Sequence, residues 1–112
     1  MKTIKSGHRY ELDNLKTDGT QVLQFYQDPE IHGSLVQGTS SQEVLRALIE
    51  RMISLDKECP GDENKKIIEH LRAALILHEV RALRRKLEKR GRPELEFVGQ
   101  DGHVASINGT RR

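Results

Sequence analysis

The sequence predicts an α+β fold: an N-terminal β-hairpin or small antiparallel sheet, a long antiparallel helical hairpin, and short C-terminal strands. Three observations carry this. Tyr10, Leu12, Leu23 and Phe25 recur at period two on either side of an Asp18-Gly19 turn signal. Val44, Leu45, Leu48, Ile49, Met52 and Leu55 recur at steps of one, three and four behind a Ser40 cap. No glycine or proline interrupts the run from Asp62 to Arg90.

The hairpin is expected over residues 9–27. Residues 28–39 hold Pro29, Gly33 and Gly38 among Ile31, Leu35 and Val36, and read as an irregular connection ordered by packing. Ser40 with Glu43 forms a capping box, in which the serine hydroxyl accepts the third-position N–H and the glutamate reaches back to the cap. The first long helix then runs over 41–57, with Glu43, Arg46, Glu50 and Arg51 on its polar side, and stops before Cys59-Pro60-Gly61.

The second helix, 62–90, opens on Asp62 as N-cap with Glu63 where the helix dipole favours an acid, and ends at Gly91 and Pro93. Ile67, Ile68, Leu71, Ala74 and Leu75 form the stripe expected to pack on the first helix. At 1.5 Å per residue the helices measure about 26 and 43 Å, so the second should overhang the first by roughly 17 Å. Along that overhang Ile76, Val80, Leu83 and Leu87 make a further stripe that the first helix is too short to cover. Its expected covers are the hairpin, a C-terminal strand around Leu95 and Phe97, or another copy of the chain. Weak strands within 94–107 complete one domain over 1–107, and 108–112 read as a tail.

Size and composition leave a tight stability margin, for which oligomerisation is one usual remedy. The 112 residues are 35% hydrophobic, 4% aromatic and 32% charged, which is thin apolar material for a self-sufficient globule. The lone Cys59 excludes an internal disulfide and a cysteine-rich zinc site, and fits a reducing, cytoplasmic compartment. No apolar run approaches the roughly 18 residues of a membrane span, and Met1 to Lys5 lack a signal-peptide core. Asn108-Gly109-Thr110 is read as a chance glycosylation match. The net charge of +2 hides an asymmetry: residues 81–92 sum to +6, leaving −4 for the remainder.

No catalytic constellation, cofactor motif or metal set emerges. His70 and His78 share a helix but stand eight apart, two turns instead of the four-residue spacing that brings two imidazoles to one ion. His8, His32 and His103 read as solvated loop or strand-end residues, and Cys59 as an incidental loop thiol. Asp62/Glu63 and Glu94/Glu96 read as capping and surface carboxylates. No Walker loop, dinucleotide fingerprint or nucleophile elbow is present. What remains is Arg81, with Arg84 and Arg85 three and four residues on, able either to clamp phosphates or to form a solvated charged face.

Certain residues carry a family resemblance. Val22-Leu23-Gln24-Phe25, Gly38-Thr39 leading into Glu43-Val44-Leu45, Ile49-Glu50-Arg51-Met52, Glu63-Asn64, and finally Arg81 and Arg85 resemble small phage proteins of the Thoeris anti-defence sponge type, over roughly residues 20 to 91. Those proteins are oligomeric and not enzymes. They sequester cyclic ADP-ribose-type immune signals, and some hold the cyclic oligonucleotides of CBASS defence. The resemblance implies an N-terminal β-element with a helical hairpin, a cyclic nucleotide partner, a homo-oligomer, and a site in the host cytoplasm. It implies Asn64, Arg81 and Arg85 as ligand contacts, with Leu55 at the position of a base-stacking aromatic. The family's arginine before Glu63-Asn64 is Asp62 here, and its closing Arg-Gly falls at Arg90-Gly91. Arg84 and Arg90 are further candidate phosphate contacts. The competing readings are a nucleic-acid-binding accessory protein using the basic end, and a structural protein-interaction module using the uncovered stripe.

Overall fold

A computed structural model of the chain describes residues 1–90, 96–98 and 104–106. The fold is α+β: an N-terminal antiparallel sheet is followed by a helical hairpin. The chain divides into two compact units, Met1–Glu43 and Val44–Arg112.

In the first unit β1 (Lys2–Lys5), β2 (Arg9–Asp13) and β3 (Thr20–Gln24) form a three-stranded sheet in that order. The β2–β3 hairpin is the one the alternation predicts, with Tyr10 opposite Leu23 and Leu12 opposite Gln21. Gly19 turns it at a φ of 104°, Asn14 N–H donates to the Gly19 carbonyl, and the Asn14 amide donates to the Asp18 carbonyl. Strand β1 has no sequence alternation of apolar residues; its pairing with β2 and a turn at Gly7 (φ 82°) add it to the sheet.

Residues 28–39 are more ordered than their composition predicts. Pro29–His32 form a short helix, α1. Asp28 caps it by accepting from the Glu30 N–H, Pro29 supplies a preset first-turn φ, and Gly33 ends it in the left-handed region. The chain then returns along the end of the sheet. Gln27 and Val36 exchange two backbone hydrogen bonds, Tyr26 N–H donates to Thr39, and Thr39 N–H donates to Gln24. Gly38 sits against this ladder. A Cβ there would lie 2.5 Å from both the Gln24 carbonyl oxygen and the Phe25 carbonyl carbon, so only glycine admits the approach.

His8 and His32 are not separately solvated, as the sequence suggested. Their rings meet edge to face at 4.4 Å. Burial of His8, then the nearby His32 and Lys5, lower its pKa from the ordinary histidine value. Tyr10 and Phe25 make a second edge-to-face contact at 6.1 Å, and the Tyr10 hydroxyl accepts the Gly7 N–H.

Helices α2 (Ser41–Glu58), whose first turn falls in the first unit, and α3 (Asp62–Arg90) form the hairpin. Ser40 Oγ accepts the Glu43 N–H at 3.1 Å and so starts α2. Asp62 begins α3 from within the helix instead of preceding it as a cap. Packing on α3 is by the face of Ile68, Leu71, Leu75, His78, Glu79, Ala82 and Lys86, all half-buried or buried, whereas Ile67 is displaced to the edge and 42% exposed. Arg46, expected on the polar side of α2, instead turns to α3 and meets Glu79 at 3.3 Å, with side chains only 17% and 8% exposed. That contact sets the register. Since α3 continues eleven residues past Glu79 and antiparallel α2 has only five residues before Arg46, α3 outruns its partner at that end by about a turn and a half. Strands β4 (Glu96–Val98) and β5 (Val104–Ser106) pair antiparallel. The expected helix stop at Gly91 and Pro93, the rest of 94–107 and the 108–112 tail lie outside the described residues.

Gly38→Ala should destabilise the N-terminal unit by about 2 kcal/mol or more, because backbone must shift to admit the methyl group; equilibrium urea unfolding of the two proteins measures it. Removing one partner of the buried pair, as in Arg46→Met, should cost about 3 kcal/mol, with much of the loss recovered in Arg46→Met/Glu79→Leu, where no charge is stranded. Thermal melts of the single and double variants check that pattern.

Candidate functional site

Three of the basic residues near the end of α3 occupy its solvent side, whereas Lys86 is buried. Arg81, Arg84 and Arg85 are all exposed. Arg81 and Arg85 stand one turn apart, and Arg84 lies beside Arg81 at three residues' spacing, so three guanidinium groups share one patch of helix surface. The patch adjoins the part of α3 that outruns α2. Such forks bind phosphate oxygens through paired, charge-assisted hydrogen bonds. Arg90 closes the helix, and its side chain lies outside the described residues.

Asn64 and Leu55 occupy the other end of the hairpin. Asn64 lies in the first turn of α3 and Leu55 in the last turn of α2, both half-buried. Seventeen residues of helix separate Asn64 from Arg81, about 26 Å at helical rise. A single chain therefore does not present Asn64 and the arginines to one small ligand.

The Asn64 amide is engaged in building the turn. Its Nδ2 donates to Asp56 Oδ1 at 3.1 Å and to the Cys59 carbonyl at 2.9 Å, which uses both of its protons. Asp56 also accepts the Gly61 N–H at 3.2 Å and faces Lys65 Nζ at 3.6 Å. Asn64 could meet a ligand only with its carbonyl oxygen unless this turn rearranged. The Asn64 hydrogen bond, then that of Gly61, with Lys65 adding to both, hold the Asp56 carboxyl below its ordinary pKa.

No family model, characterised protein or solved structure matches the chain. The functional reading therefore stands on the residues themselves. Among the described residues no three of His, Cys, Asp and Glu converge as a metal set, and no helix is long and apolar enough to cross a membrane.

One cluster escaped the sequence and a second was read only in part. One is the Asp56–Asn64 clamp, whose available signal was an acid and an amide bracketing Cys59-Pro60-Gly61. The other is the exposed apolar group Ile76, Leu77 and Val80, at 61%, 68% and 52% exposure. The predicted stripe included Ile76 and Val80 but also Leu83 and Leu87, which are half-buried, and it omitted Leu77.

Because the folded-state pKa of Asp56 is depressed, its contribution to stability is present above the unfolded value and is lost as pH falls through the folded value. Asn64→Ala removes the main cause of the depression. Carboxyl titration by NMR should show the Asp56 pKa rising toward its ordinary value, and acid unfolding should begin at higher pH than in the parent protein.

Proposed function

We propose that this chain is a non-catalytic phage anti-defence protein that binds a cyclic nucleotide immune signal, a cyclic ADP-ribose isomer or a cyclic oligonucleotide, and withholds it from its effector. One observation carries the reading: Arg81 and Arg85 stand exposed one turn apart, next to the part of α3 that runs beyond α2. The sequence resemblance gives the same two positions their ligand. They hold the phosphates, with Arg84 as an additional cation, and Arg90 is a further candidate. Asn64 and Leu55 enter the same site only when a second copy brings its turn to these arginines, since their own lie about 26 Å away. In this reading the protein works by mass action in a cytoplasmic compartment and needs no cofactor.

Calorimetric titration with cyclic ADP-ribose isomers and cyclic dinucleotides should give binding, and denaturing the complex should release unaltered ligand. Arg81→Ala and Arg85→Ala should each weaken binding by roughly ten- to a hundredfold, the range for losing a hydrogen bond to a charged group. Absence of heat and of mobility change with every such ligand would sink the reading.

The exposed Ile76, Leu77 and Val80 favour a second reading, a protein-interaction module, in which Arg81→Ala/Arg85→Ala leaves function intact. A nucleic-acid accessory would instead show binding to duplex or single-stranded DNA that weakens steeply with salt.

A further inference from the structure

Helix α3 has two apolar faces. At 100° per residue, Ile68, Leu71, Leu75 and Ala82 cluster on the side toward α2, while Ala73, Ile76, Leu77 and Val80 cluster about 160° away on exposed surface. This second group recurs at steps of three and four and is bordered by exposed Glu69 at one end and exposed Arg84 at the other.

The order of residues on this face is self-complementary. Set two copies of α3 antiparallel with the two-fold axis between Ile76 and Leu77. Ile76 then faces Leu77 of the other copy, Ala73 faces Val80, and Glu69 faces Arg84, each contact occurring twice as a two-fold interface requires. The small Ala73 admits the branched Val80, and a carboxylate meets a guanidinium at each end. A parallel pairing would set Glu69 against Glu69 and Arg84 against Arg84, at a cost in like-charge repulsion. Arg72 and Arg81 come to equal height in the antiparallel pair but lie on opposite rims, about 90° to either side of the seam, so they do not oppose it.

We propose that the Ala73, Ile76, Leu77 and Val80 face of α3 docks on the same face of a second copy, antiparallel, with Glu69 of each copy paired to Arg84 of the other. The pairing does not depend on the identity of any ligand. Its occupant is fixed by the face itself: the charges that border the apolar residues are those that match a reversed copy.

Sedimentation of the full chain should give a dimer or a larger even-numbered assembly. Ile76→Asp should dissociate it with the helical circular dichroism retained. Glu69→Arg and Arg84→Glu should each weaken association by on the order of tenfold, and the double exchange Glu69→Arg/Arg84→Glu should restore it. In a Cys59→Ser background, Ala73→Cys mixed with Val80→Cys should form the mixed disulfide dimer in preference to either homodimer. A monomer at concentrations on the order of 100 µM, or an assembly indifferent to both the Ile76 and the charge variants, would overturn the proposal. Single reversals that the double exchange fails to rescue would overturn the antiparallel register. Ligand titration is read on Ile76→Asp and Glu69→Arg, neither of which alters a proposed ligand contact, while Arg81→Ala and Arg85→Ala should leave the sedimentation unchanged; loss of the interface and loss of nucleotide binding are thereby told apart.

Discussion

A helix with apolar side chains on opposite faces cannot be satisfied by one partner, and that constraint governs the second half of this protein. Helix α2 covers one side of α3. Among the described residues Ala82 is the one apolar side chain that becomes buried, and the other members of the seam stay half-exposed. The hydrophobic contribution per residue is correspondingly modest, because it scales with apolar area removed from water. The opposite face retains Ile76, Leu77 and Val80 in solvent. An apolar surface of this kind on a short chain with few aromatics is what self-association covers.

With so little apolar area to fix the alignment of two helices, polar contacts set it. Arg46 with Glu79 specifies which turns meet, since a stranded charge at either position would be costly. At the closed end Asp56 gathers the Gly61 N–H, the Asn64 amide and Lys65 into one clamp, which holds the Cys59-Pro60-Gly61 reversal. The N-terminal unit solves the same shortage through backbone pairing. Its strands, the Gln27–Val36 exchange and the close approach of Gly38 satisfy main-chain groups and leave Ile4, Leu12 and Val22 exposed.

These economies bear on function. The arginines at positions 81 and 85 are exposed, open to an anionic ligand. Asn64, by contrast, serves the turn with both amide protons, so a residue suggested by family resemblance as a ligand contact has a structural duty in this chain. A binding site that used both would be built from more than one copy.

The sequence by itself determined the element types: local signals fix helices and turns, and Ser40, the Asp18-Gly19 turn and the uninterrupted 62–90 run are local. It also held the signals for α1, an aspartate, a proline and a glycine in cap order, although irregular composition masked them. The tertiary structure alone decided which face of each helix turns inward. Arg46 read as polar and exposed until Glu79 was opposite it, Ile67 read as core until the seam passed beside it, and His8 read as solvated until the chain returned with His32. Periodicity reports that a face is apolar, but which of two apolar faces is covered depends on where the next element lies. That is a non-local fact, and on α3 it decides which residues are left for a partner.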